Sequence, residues 1–148
     1  MNANNLKWGV SGGLAGGVVF GAMMGMMGML PMIGGMIGQP SAAAGAAVHL
    51  VNSAVIGAGF AVILGRLVSG VRNTTIAGLL YGAAWWVVGP LTLMPLFMGM
   101  GFGVNWTAAA AITMLPSLGG HLVYGTILGA SYAWSRQRGA ARALATVA

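Results

Sequence analysis

His49-Leu-Val-Asn-Ser-Ala-Val-Ile-Gly-Ala-Gly-Phe-Ala61 returns 72 positions later as His121-Leu-Val-Tyr-Gly-Thr-Ile-Leu-Gly-Ala-Ser-Tyr-Ala133. Both copies begin His-Leu-Val, carry a Gly-Ala pair, and end on an aromatic followed by Ala. Upstream, Gly17-Val-Val-Phe-Gly-Ala22 is answered by Gly78-Leu-Leu-Tyr-Gly-Ala83, this time 61 positions on. The chain therefore reads as two related halves, each with one histidine. The second half is longer by 11 residues between its paired segments.

Composition names the solvent. Hydrophobic residues make up 58% of the 148 and charged residues only 4%, too few charges to clothe a water-soluble domain of this size. There is no Asp or Glu, which excludes paired-carboxylate catalysis, carboxylate-bridged metals and an acidic proton carrier. There is no Cys, which excludes thiolate nucleophiles, Fe–S clusters and Cys-ligated zinc. A net charge of +6 raises the question of nucleic acid, but the basic residues are scattered at the edges of apolar runs and form no polar face. No nucleic-acid partner is expected; the lipid bilayer is.

A helical crossing takes about 20 apolar residues. Four stretches meet that need: Trp8 to Met32, Ala43 to Leu64, Thr75 to Met98, and a last one from Thr107 or Ser117 to Trp134. The first is too long for the apolar part of a signal peptide and is read as a retained span. Lys7, Arg66, Arg72, Arg136, Arg138 and Arg142 fall before span one, between spans two and three, and after span four. The positive-inside rule then places both termini and the central loop in the cytoplasm. The expected fold is all-α, a four-transmembrane-helix bundle built from two parallel helix-hairpin repeats in the cytoplasmic (inner) membrane. It is one membrane domain over 1–148, with repeat one at about 9–72, repeat two at about 73–138 and a basic tail at 137–148. Asn73 is the expected N-cap of span three, Gly89-Pro90 and Pro95 should kink its upper part, and Thr107 to Leu115 should form a short interfacial helix.

Small residues recur every fourth position. Span one has Gly13, Gly17, Gly21 and Gly25; span two has His49, Ser53 and Gly57; span four has His121, Gly125 and Gly129. In lipid, close backbone approach drives helix association, so these are packing stripes. Both histidines lie on such stripes and should point at another helix, where they would meet if the halves are related by a twofold axis. Two neutral imidazoles on facing helices would suit the iron of haem b. The plainer reading is a pair of histidines hydrogen-bonded across a helix interface to Ser53, Asn52, Thr126 or Tyr124.

Apart from Met1, the methionines lie from mid-membrane outward. Met29, Met32, Met36, Met94, Met98 and Met100 are thioethers suited to assisting His49 and His121 with Cu(I). Flexible filling against glycine helices explains them equally in chemical terms and more economically. Trp85 and Trp86 either line a groove for a quinone or carotenoid or fill space left by glycines. Gly99, Gly101 and Gly103 have no flanking Lys or Asp and make no nucleotide cradle.

Together, HLVNSAVIGAGFA, YGAAWWVVGPLTLMP and GHLVYGTILGA resemble small uncharacterised four-helix integral membrane proteins of bacteria and archaea, a family of unknown function that implies no activity. The leading expectation is a non-enzymatic accessory or structural subunit, or a small binding protein, acting as a homo-oligomer or within a larger membrane complex. A haem b or Cu(I) protein using the histidine pair is the alternative, and an oligomeric transporter or pore the third.

Overall fold

The computed structural model describes residues 3–146 and is all-helical, with no strand among the described residues. In chain order the helices are α1 (Ala3–Met26), α2 (Leu30–Gly35), α3 (Ala42–Ile63), α4 (Val71–Val88), α5 (Met94–Phe97), α6 (Ala108–Thr113) and α7 (Leu115–Ala145). A π-helical turn, Gly89–Leu93, joins α4 to α5 without a break, so 71–97 forms one continuous helical stretch. Among the described residues, three helical stretches are long and apolar enough to cross a membrane: Ala3–Met26, Ala42–Ile63 and Val71–Phe97. The fourth long helix, α7, has 31 residues but carries Ser117, His121, Tyr124, Thr126, Ser131 and Tyr132 along its length, and these dilute its apolar character.

Several boundaries differ from the sequence expectation, each for a local reason. Span one was expected to run to Met32, but α1 stops at Met26 because Gly28 adopts φ 68, which turns the chain. Pro31 then starts α2 as a separate short helix, where its missing N–H is harmless. Asn73 is not the cap of span three. Gly70, at φ 76, precedes the first turn, and the hydroxyls of Thr74 and Thr75 turn back to the Gly70 and Val71 carbonyls. Where a kink was expected there is the π turn: Pro90 has no N–H for the helical ladder, and the Thr92 hydroxyl donates to Val87 O at 2.7 Å. The short helix after the glycine-rich loop is α6, capped by Thr107, whose Oγ1 accepts from Ala110 N at 3.2 Å. The described part of the basic tail is helical and continues α7 to Ala145, and 147–148 lie outside the described residues.

The packing is organised by α1 and α7, each of which uses two faces. Gly9, Gly13 and Gly17 of α1 lie against α3, while Gly12 and Gly16 lie against the Leu128 and Tyr124 backbone of α7. From α7, Gly125 and Gly129 meet Gly78 and Gly82 of α4. In all three interfaces, residue numbers rise on one helix as they fall on the other, so the neighbours are antiparallel. Inside sits a cluster of Phe20, Met24, Phe60, Ala61, Tyr124, Leu128 and Tyr132. Phe60 stands edge-on to both Tyr81 and Tyr132, at centroid distances of 5.4 and 5.5 Å, and so bridges α3 to α4 and α7.

Candidate functional site

Of the glycines that the sequence singles out, Gly13, Gly57, Gly125 and Gly129 are held by backbone contact. A side chain at Gly57 would run into the Gly9 carbonyl and the Cα of Gly13; one at Gly129 would run into the Thr74 carbonyl and the Cα of Gly78. Gly13 faces Ser53 O and Gly57, and Gly78 faces Gly125 O and Gly129. These paired contacts match Gly13 with Gly78, 65 positions on, whereas the repeated sequence matches Gly17 with Gly78, 61 positions on. The contact pattern of the second pair is thus displaced by one helical turn from its sequence echo. Gly21 lies against the His49 ring, 3.0 Å from Cδ2 to the position a Cβ would take, and Gly25 touches only the Leu30 side chain.

The histidines lie close together without touching. His49 donates its Nε2–H to the Gly17 carbonyl on α1 at 3.0 Å, which leaves Nδ1 as its lone-pair nitrogen. His121 donates Nδ1–H to the Ser117 carbonyl of its own helix at 2.8 Å, which leaves Nε2 as the lone pair, on the side of Gly89. Between them stands Phe20, edge-on to His49 at 5.3 Å and to His121 at 4.9 Å. The same ring fills the notch at Gly120.

The partners expected from sequence were side chains; the partners found are carbonyls. Ser53 donates to His49 O at 2.7 Å, Tyr124 to Ser53 O at 2.8 Å, and Thr126 to Leu122 O at 2.8 Å. Thus the Tyr124 hydroxyl crosses from α7 to the Ser53 carbonyl of α3, while the Ser53 hydroxyl closes on the His49 carbonyl of its own helix. Tyr81, not singled out from sequence, ties α4 to α3 by donating to Ile56 O at 3.0 Å. Its place in the Gly-Leu-Leu-Tyr-Gly echo of Phe20 was the available signal. Trp86 donates to Met114 O at 3.1 Å and pins α4 to the start of α7, while Trp85 stacks edge-on to Tyr81 at 6.2 Å. The hydroxyl of Tyr132, a fully buried residue, has no partner and lies over Gly65.

The methionines do not share one element. Met29 packs against the core, Met32 and Met36 belong to α2 and its C-terminal cap, and Met94 and Met98 belong to α5 and its cap, with Met100 just beyond. The main neighbour of α2 is α3, whereas α5 continues the π turn above α4. Met98 and Met100 are exposed.

At the opposite end the basic residues gather. The Trp8 indole covers Gly139, Arg136 Nη1 donates to Gly65 O at 2.8 Å and Val68 O at 3.1 Å, and Arg138 stacks on Trp134 at 3.7 Å. The N-terminal end of α1, the α3–α4 connection and the far end of α7 therefore meet at one level. Compared with protein-family models, with curated proteins and with solved structures, the chain matches none. The resemblance drawn above stands on its motifs alone.

Proposed function

We propose that the chain is a small integral protein of the cytoplasmic membrane that crosses it four times, as two parallel helix hairpins with both termini inside. In this reading it serves as a non-enzymatic accessory or structural subunit, or binding protein, of a membrane complex. Support for the crossings comes from the three apolar helices and from the burial of α7 residues between α1 and α4. Support for the orientation comes from the meeting of Trp8, Arg136 and the α3–α4 connection at one end, the end that carries the basic residues.

The observation that carries the functional reading is the closure of interior polar groups on backbone carbonyls. His49, His121, Ser53, Tyr81, Tyr124 and Thr126 each donate to a main-chain oxygen, so they act as fasteners between and along helices. Such groups offer little to a passing substrate, and polar contacts of this kind are used in bilayers to hold helices together. The apolar exterior, including Val18, Val51, Val55, Ile63 and Leu80, is left for lipid or for neighbouring proteins.

Because the chain has no cysteine, single cysteines report topology cleanly. Phe102→Cys in the loop after α5 should react with an impermeant thiol reagent on intact cells, and Ser69→Cys only after permeabilisation. The reverse pattern would overturn the orientation. Crosslinking in native membranes, followed by purification in mild detergent, should yield a reproducible oligomer or partner; a lone monomer under all conditions would count against the subunit role. A Soret band or stoichiometric copper in that preparation would instead favour the haem b or Cu(I) alternative.

A further inference from the structure

The end of the molecule that gathers the basic residues holds a cleft of about 240 Å³ between the first turn of α4 and the last third of α7, lined by Gly70, Thr74, Ala133, Arg136, Gln137 and Ala140. We infer that this cleft binds one phosphate group of an anionic lipid in the cytoplasmic leaflet, a reading that rests on the membrane orientation proposed above.

The first argument is charge. The 148 residues contain six Lys and Arg and no Asp or Glu, so no side chain of the chain can neutralise these cations. No acidic side chain competes with an outside anion for Arg136. The second is preorganisation. Two carbonyls beyond α3, Gly65 O and Val68 O, both take their hydrogen bond from Nη1 of Arg136, and they fix the guanidinium in place. Among the described residues, no bond is formed by Nε or Nη2, which leaves donors of the fork suited to a phosphate's oxygens. The third is room. Gly70 has no side chain, Ala133 and Ala140 have small ones, and Gln137 adds a neutral amide, so the cleft admits a tetrahedral anion next to the arginine without opposing charge.

Depth selects the source of the phosphate. Trp8, lying on Gly139, and Trp134, exposed and stacked under Arg138, flank the level of Arg136. Indole rings favour the boundary between hydrocarbon and headgroups, and that is where lipid phosphates lie. Arg138 is a different case: its guanidinium is spread over the Trp134 ring and it does not line the cleft.

The test uses the full chain reconstituted in phosphatidylcholine vesicles, with spin-labelled phosphatidylglycerol compared with spin-labelled phosphatidylcholine in the motionally restricted shell. The native protein should prefer phosphatidylglycerol about fivefold, the preference that roughly one surface arginine confers. Arg136→Gln should bring the ratio close to one. Because Arg136 also fastens the α3–α4 connection, Gln137→Asp provides a second variant: it places a negative charge in the cleft while keeping both carbonyl bonds, and it should abolish the preference with an unchanged circular dichroism melt. Arg138→Gln should retain the preference. Equal ratios for native protein and both cleft variants, or equal loss in Arg138→Gln, would overturn the site in favour of diffuse attraction. Displacement of the lipid by excess inorganic phosphate would overturn the lipid assignment. Protein that fails to float with the vesicles would instead overturn the membrane reading beneath it.

Discussion

The two glycine interfaces, α1 against α3 and α4 against α7, present nearly the same atoms to each other and yet hold their histidines differently. In the first, Gly13 meets Gly57 and His49 reaches across to the Gly17 carbonyl. In the second, Gly78 meets Gly129, Gly82 lies on the His121 carbonyl, and the His121 ring turns back to Ser117 on its own helix. Ser53 also replaces the glycine found at Gly125, and its side chain presses on Gly17 where the second interface has only backbone. The comparison teaches that the repeated motif specifies a helix surface but not a bonding partner. With equivalent glycine contacts on both sides, one histidine bonds across the interface and the other within its own helix.

The strongest way to break the comparison is to fill both contacts. Gly57→Leu and Gly129→Leu would each drive a side chain into a carbonyl oxygen and a Cα, and each should destabilise the fold by about 3 kcal/mol or more in denaturant titration of detergent-solubilised protein. If only one did so, the two interfaces would not be mechanically equivalent. The tyrosines separate next. Tyr124→Phe removes a buried donor to Ser53 O and should cost about 1 kcal/mol, whereas Tyr132→Phe removes a hydroxyl without a partner and should be neutral or stabilising. An equal loss in thermal melts of both would contradict the hydrogen-bond assignment.

A smaller contrast tests the histidines directly. His49→Leu should cost about 0.6 kcal/mol, the average found for interhelical hydrogen bonds in membranes, and His121→Leu less, because its bond joins residues already in one helix. Both variants should leave absorption in the Soret region unchanged. At the small end, Gly119→Ala meets nothing within 4 Å and should stabilise α7 by about 0.5 kcal/mol through reduced backbone freedom. A loss of stability there would reveal a neighbour on that face.

How much of this was legible depends on how local the deciding interaction is. The apolar runs gave α3 to within a residue, and Gly89-Pro90 marked the place where the ladder is interrupted, because a proline's missing donor acts on its own helix. Thr107 ahead of four alanines likewise marked α6. The break at Gly28 was hidden inside a methionine-rich run that is apolar on both sides of it. Gly12 and Gly16 were visible beside the main stripe, but that they form a second working face toward α7 depends on where α7 lies. The sequence offers side chains as partners for the histidines, whereas the acceptors are carbonyls: Gly17 O across the α1–α3 interface for His49 and Ser117 O within α7 for His121.

Residue content alone determined that the chain is helical and apolar, that its positive charges lie at one set of helix ends, and that glycine surfaces run along the helices. These follow from hydration and from backbone preference, which act over a few residues at a time. Tertiary structure alone decided the register: Gly13 rather than Gly17 as the counterpart of Gly78, Phe20 between the two imidazoles, and Arg136 beside an open cleft. Register is fixed where backbones from distant parts of the chain can approach most closely, and that depends on the surfaces of both helices together.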